Sequence, residues 1–306
     1  MLSVCIPVYN VDVRQLALQL SEQASAEERP VELLFYDDGS QPEYRTLNRT
    51  ITGLPHVSYV EMAKNLGRAA IRNRMGEDAA FSWLLFIDAD SELVSGSFLK
   101  HYLNLAEPET VICGGTVYQP EQPGAEQRLR WVYGKAREEL TASRRTRSGK
   151  FAITANNFMI NRSLFLKIRF RETIRSYGHE DTVLGYDLTE AGIHILHTDN
   201  PVRHTGLEPS MLFLRKTETA LQNLLLVAEE IVPTQPFRQE IKILRTYFRL
   251  KKIGLHRWTA WLFRLVRPAL EQNLTGASPR LQLFDLYRLG YLCGIEKSQS
   301  QKTLHS

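Results

Sequence analysis

Several features that would fix a class at once are missing. Only three cysteines occur among 306 residues (Cys5, Cys113 and Cys293), and their spacing suits neither a metal cage nor a disulfide framework. A reducing compartment is the better match. No Gly-Lys-Ser/Thr is present, which excludes the phosphate loop of nucleotide triphosphatases, and the spaced glycines of a dinucleotide fingerprint are absent too. No apolar run is long enough to span a bilayer. The first residues, Met-Leu-Ser-Val-Cys-Ile-Pro, lack a basic leader and a signal-length apolar stretch, so they read as a strand and the expectation is a cytoplasmic protein. Internal repeats and low-complexity segments are absent as well.

What is present is an ordinary globular balance, 43% hydrophobic and 24% charged, in a chain long enough for one large domain plus a substantial appendage. The net charge of +4 conceals an asymmetry: residues 1–205 hold 23 Lys/Arg against 26 Asp/Glu, whereas residues 206–306 hold 15 against 8. The basic character therefore belongs to the last third, which bears on what that part meets.

Hydrophobic patterning divides the chain in the same place. Strand-like runs at 2–9, 31–36, 56–62 and 83–87 alternate with helical patterns at 12–25, 42–51 and 67–77, the signature of a parallel, doubly wound α/β sheet. Further strands are expected at 110–118, 151–160 and 193–197, and helices at 97–105 and 180–191. Residues 144–150, rich in arginine and without apolar periodicity, read as a loop. From about residue 208 the pattern is helix after helix. Two domains are expected: an α/β domain over 1–207 and a helical extension over 208–306.

The polar residues of interest cluster at strand exits. Trp83-Leu84-Leu85-Phe86-Ile87 is a buried strand ending in Asp88-Ala89-Asp90, and ligands of open α/β sheets bind at the carboxyl ends of strands. Two carboxylates there can hold Mg2+ or Mn2+ against a phosphate, since both metals take oxygen ligands and keep positions open for substrate. Asp37-Asp38-Gly39-Ser40 ends the second strand with turn chemistry, where a carboxylate can accept from a base edge or ribose hydroxyls. Pro7-Val8-Tyr9-Asn10 ends the first, with an aromatic able to stack on a base. Lys64-Asn65-Leu66-Gly67-Arg68 leads into a helix whose N-terminus suits a pyrophosphate. Taken singly, each is also what a turn or a solvated helix end looks like.

Together and in order, "SVCIPVYN", "DDGS", "KNLGRAAIRN" and "FIDAD" resemble bacterial, inverting family-2 glycosyltransferases of the GT-A fold, over about residues 2–205. The resemblance implies a nucleotide-sugar donor, most simply a UDP-sugar, a glycan or lipid-linked acceptor, and Mn2+ or Mg2+ as cofactor. It assigns Pro7 and Tyr9 to the uridine, Asp38 to the uracil edge with Asp37 as the alternative, and Asn65 and Arg72 to the surroundings of the nucleotide. Asp88 faces ribose or metal and Asp90 binds the metal. Gly178-His179-Glu180-Asp181 is similar to the family's downstream acidic motif, which makes Asp181 the catalytic base and Glu180 the runner-up. His204 corresponds to a position that ligates metal in some GT-A enzymes.

The last third lies outside the resemblance in fold, although "LKKIGLHRW" and "LFDLYRLGYLCG" are similar to the tail of a bacterial subgroup. Trp258, Trp261, Leu262, Leu265, Val266, Ala269 and Leu270 recur at helical spacing among Arg257, Arg264 and Arg267. Such a stripe either packs on the catalytic domain or lies on the cytoplasmic face of the inner membrane as a peripheral contact. Surface-polysaccharide synthesis is the expected setting. The alternative is a catalytically inactive nucleotide-binding scaffold, and the paired acids count against it. Nucleic acid is not expected as a partner, because the basic segments carry no recognisable module.

Overall fold

Strands buried on both faces need apolar residues at nearly every position, which Leu2–Val8 and Trp83–Ile87 supply. The computed structural model describes residues 1–295 except 108–109, 150, 152 and 175–176. These fall into two compact units, residues 1–119, 138–172 and 180–206 in one and residues 120–137, 173–179 and 207–295 in the other. The second unit thus takes in two short segments that precede residue 207.

The first unit is built from β1 (Leu2–Val8), α1 (Arg14–Ser25), β2 (Val31–Asp37), α2 (Pro42–Asn48), β3 (Val57–Glu61), α3 (Arg68–Asp78), β4 (Trp83–Ile87), β5 (Ser91–Leu93), α4 (Phe98–Asn104), β6 (Thr110–Cys113) and β7 (Thr116–Val117). After α5 (Arg128–Tyr133), which belongs to the second unit, it continues with α6 (Ala142–Ser148), β8 (Asn157–Asn161), α7 (Arg162–Ile168), α8 (Glu180–Glu190), β9 (His194–His197) and β10 (Val202–His204). The main sheet has seven strands in the order β3-β2-β1-β4-β8-β6-β9, all neighbours parallel except where β8 runs against β4 and β6. A small sheet, β5-β10-β7, stands apart from it.

Side-chain alternation sorts the core. Leu2, Val4, Ile6 and Val8 of β1 join Leu16, Ala17 and Leu20 of α1 on one face, while Cys5 joins Leu34, Phe86, Phe158 and Phe165 on the other. Phe86 and Phe158 stack with centroids 5.0 Å apart across the β4–β8 pairing. All three cysteines are buried and free.

Three expectations are corrected. The run at 110–118 is two strands in different sheets, because the chain breaks at Gly114-Gly115. The strand expected from 151 begins at Asn157. Residues 142–148 form a helix, capped by Thr141, which accepts from the Arg144 N–H. Arg145 explains that helix without apolar periodicity: its guanidinium donates to the carbonyls of Leu140, Cys113, Gly114 and Thr198. Lys150 lies outside the described residues.

The second unit contains α5 together with α9 (Ser210–Leu226), α10 (Gln235–Glu240), α11 (Lys242–Lys252), α12 (His256–Leu274) and α13 (Leu281–Cys293). Its core gathers Leu129, Leu214, Phe263, Leu270, Leu274, Phe284 and Tyr287. Among the described residues, no helix is long and apolar enough to cross a membrane.

Candidate functional site

Parallel neighbours bring the exits of β1, β2 and β4 to one edge of the sheet, and α3 begins there. At β1, Pro7 is half-buried and Tyr9 stands exposed, while the Asn10 N–H donates to Ser40 Oγ (2.9 Å) and Gln41 N–H to Asn10 Oδ1 (2.8 Å). The first two strand exits are therefore tied together.

Asp37 and Asp38 have different occupations. Asp37 is fully buried and accepts from the Ser40 N–H (2.7 Å) and the Tyr59 hydroxyl (2.9 Å), so it fixes the turn. Asp38 accepts the Leu66 N–H at Oδ1 (2.6 Å) and the Gly67 N–H at Oδ2 (3.0 Å), closing the start of α3. Burial raises its pKa above the usual carboxylate range, against the pull of those two amides. The Asn65 amide donates to the Asp38 carbonyl (2.9 Å). Each Asp38 oxygen retains one lone pair for a ligand donor.

Two arginines one helical turn apart join the rest. Arg72, 3% exposed, donates from Nη2 to Asp88 Oδ1 (2.5 Å), and its Nε has no hydrogen-bond partner among the described residues. The same guanidinium acts electrostatically on Asp181. Arg68 stands 3.6 Å from Glu180 Oε1 and also favours the ionised form of Asp90. The arginines of α3 thus face acids at the β4 exit and acids of α8 simultaneously, which brings Asp88, Asp90, Glu180 and Asp181 to one place.

Asp90 and His204 are brought together by the small sheet. Antiparallel pairing of β10 with β5 sets His204 opposite Ser91, and His204 Nδ1 lies 3.5 Å from Asp90 Oδ2. Thr205 donates its N–H and its hydroxyl to the Asp90 carbonyl, each at 2.9 Å. Gly206 lies close against this carboxylate: a Cβ there would come within 2.4 Å of Asp90 Oδ2. Burial works against the Asp90 carboxylate, yet His204 and Arg68 hold it below the usual carboxylate range. Tyr118 lies edge-on to the His204 ring, centroids 5.6 Å apart, and its hydroxyl donates to Glu138.

The chain enters α8 through two left-handed residues, Gly178 (φ 92°) and His179 (φ 72°). Glu180 is buried, and Asp181 Oδ1 accepts the Thr182 N–H (2.6 Å) and hydroxyl (3.3 Å). Its Oδ2 makes no hydrogen bond among the described residues. Burial, and next the neighbouring Glu180, push Asp181 up to about 6, with Thr182 and Arg72 opposing.

Among the described residues, no group of three or more His, Cys, Asp or Glu side chains is placed to hold a metal ion. Asp90 Oδ2 and His204 Nδ1, 3.5 Å apart, are two donors that one cation could share, with phosphate oxygens and water left to complete its shell. Asn156 was not singled out from the sequence, and Arg68 was named only within the Lys64–Arg68 stretch. Arg68 had a signal, its i, i+4 spacing from Arg72. Asn156 had none: it accepts the Asp88 N–H at its carbonyl (3.3 Å), and its Oδ1 is buried without a hydrogen-bond partner among the described residues.

The family model for glycosyl transferase family 2 matches residues 3–169. Among solved structures, the mannosyltransferase PcManGT from Pyrobaculum calidifontis, in complex with GDP-Man and Mn2+, aligns with 99% of this chain and 83% of its own at 17% identity and TM-score 0.56. S. aureus TarS aligns with 74% of this chain and 39% of its own at 16% identity and TM-score 0.47. TarS 1-349 aligns with 94% of this chain and 89% of its own at 16% identity and TM-score 0.46. No curated protein matches the chain. The mostly parallel sheet flanked by helices is the GT-A-like fold expected from the sequence, with a helical carboxyl-terminal region.

Proposed function

The chain belongs to glycosyl transferase family 2, and from that premise we propose that it is a metal-dependent, inverting transferase moving a sugar from a UDP-sugar to a glycan or lipid-linked acceptor of a bacterial surface polysaccharide. The observation that carries the reading is the double engagement of α3: Arg72 with Asp88 and Asp181, Arg68 with Glu180 and Asp90.

In this reading Pro7, Tyr9, Asp38 and Asn65 receive the nucleoside, with Tyr9 stacking on the base and Asp38 accepting from its edge. Asp88, oriented by Arg72, meets the ribose side. Asp90 and His204 would hold the Mn2+ or Mg2+, which when bound would supply positive charge to the diphosphate. Arg68 adds a cation at the N-terminus of α3, where the helix dipole also favours phosphate. Asp181 is the general base. A carboxylate raised to about 6 is still ionised at neutral pH yet is a better proton acceptor than an ordinary aspartate. It takes the proton of the acceptor hydroxyl as that oxygen attacks the anomeric carbon from the face opposite the leaving group. Glu180 holds Arg68 and assists in placing the acceptor. A cytoplasmic setting accords with three buried free thiols.

Nucleotide release from a panel of UDP- and GDP-sugars, with Mn2+ or Mg2+ and with chelator, tests the proposal. Turnover that survives both Asp90→Ala and Asp181→Asn would overturn the assigned roles. Metal-dependent UDP binding without transfer to any acceptor would favour an inactive scaffold instead.

A further inference from the structure

Helix α12 has two apolar faces where a surface helix needs one. Ala260, Phe263, Leu270 and Leu274 are buried in the core of the second unit. On the opposite side, Trp258, Trp261, Leu262 and Leu265 follow one another at i, i+3, i+4 and i+7 and stand in solvent, with Trp258 68% and Leu265 62% exposed. The turn before the helix adds exposed Ile253 and Leu255. The two indoles pack edge to face, centroids 6.0 Å apart, so the exposed face is an organised surface. Contiguous exposed apolar area of this kind marks a contact site.

The charge around it identifies the partner. Between Ile241 and Leu270 the chain carries eight Lys/Arg and no Asp/Glu. Lys251 is paired with Glu229, and Arg267 with Glu218 and Glu271, from outside the stretch. Lys252 and Arg257 are exposed beside the apolar face. A second copy of this chain would bring the same basic surface against itself, which repels. Tryptophans amid basic side chains on a helix whose other face is anchored in a folded core match the boundary layer of an anionic bilayer, where indoles sit between headgroups and acyl chains.

We propose that the second unit docks on anionic lipid, with α12 lying flat in the interface through Trp258, Trp261, Leu262 and Leu265 and with Lys252 and Arg257 on the headgroups. The helix does not cross the bilayer, consistent with the absence of any spanning helix among the described residues. This docking goes beyond the transferase reading and does not depend on it.

The test is sedimentation of the full chain with vesicles of phosphatidylcholine alone and of phosphatidylcholine mixed with phosphatidylglycerol, read with tryptophan emission. The expected result is retention on the mixed vesicles only, weakened by salt, with emission shifted to shorter wavelength. A Trp258→Ser/Trp261→Ser double variant should lose about tenfold or more in partitioning. Lys252→Gln/Arg257→Gln should lose less and show a shallower salt dependence, and circular dichroism should report both variants folded. No retention on mixed vesicles, equal retention on both vesicle types, or undiminished binding by the tryptophan variant would overturn the proposal. Self-association abolished by the same substitutions, without vesicle binding, would assign the face to a second copy instead.

Discussion

Helices α3 and α12 both carry arginines, and while Arg267 of α12 is paired with Glu218 and Glu271, Arg257 at its start meets circumstances opposite to those of Arg68 and Arg72. In α3, Arg68 and Arg72 face acids delivered by two other elements, the β4 exit and the start of α8. Between Ile241 and Leu270, which takes in most of α12 and the residues before it, the chain has eight Lys/Arg and no acid of its own, and Lys252 and Arg257 are exposed there. Arginine content alone therefore reports little about role. What decides is whether the fold brings the counter-charge, as in the first unit, or leaves a basic, apolar surface for something outside the molecule.

The sharpest way to break the first half of that contrast is to remove the base. Asp181→Asn keeps the shape and abolishes proton acceptance, so kcat is expected to fall by about 100- to 10,000-fold in a nucleotide-release assay. The pH profile supplies a second reading. The working form is ionised, so kcat/KM should rise tenfold per unit at low pH and level off above about 6. Glu180 raises the Asp181 value, hence Glu180→Gln should move that bend to lower pH. A profile unmoved in Glu180→Gln would separate the two acids and sink the assignment.

Next in size is the buried side of α12. Phe263 is 6% exposed, and its ring lies so close to Gly290 that a Cβ there would come within 2.6 Å of it. Phe263→Ala should cost about 3–5 kcal/mol in thermal or denaturant unfolding. Unfolding unchanged by this substitution would mean the two faces of α12 are not different in kind.

Much of the first unit was legible in the sequence because its signals are local. Buried strands announce themselves as apolar runs, and Asp38, Asp88 and Asp90 follow directly from strand ends. The order β4-β8-β6-β9 was not legible, since antiparallel insertion of β8 is a pairing between residues far apart in the chain. The helix at 142–148 was missed for a related reason: Arg145 fastens it through the carbonyls of Cys113, Gly114 and Thr198, far away in the chain, which leaves no periodic trace. In α12, periodicity showed a stripe but not its direction. Trp258-Trp261-Leu262-Leu265 and Ala260-Phe263-Leu270-Leu274 both satisfy helical spacing, and only the packed core tells them apart.

Smaller is the effect expected at Arg72. Replacing it by Met preserves bulk under Phe170, over whose ring the guanidinium lies at 5.7 Å, but leaves Asp88 without its 2.5 Å donor. Loss of a charge-assisted bond of this type is worth about 1.5–3 kcal/mol, or roughly 10- to 100-fold in kcat/KM. Because Arg72 favours the ionised form of Asp181, the bend in the profile should also move to higher pH, opposite to Glu180→Gln. Equal shifts in the same direction would contradict the shared-arginine arrangement.

The smallest expected effect is the most discriminating for the second unit. Trp258 is the larger side chain compared with Phe263, and a reading by residue type alone would predict the greater loss on removing it. Its exposure predicts otherwise: a side chain already in water contributes little transfer free energy to folding, so Trp258→Ser should change stability by about 0.5 kcal/mol or less. The edge contact with Trp261 is lost, and both rings of that pair are exposed. Side-by-side melts of Trp258→Ser and Phe263→Ala in the absence of lipid make the measurement. A large loss for the tryptophan would mean that the face is buried in the folded protein and that no outside surface is needed to cover it. A negligible loss, beside a large one for the phenylalanine, leaves an indole kept in water at no benefit to the fold, so the reason for its presence must be sought in what α12 touches.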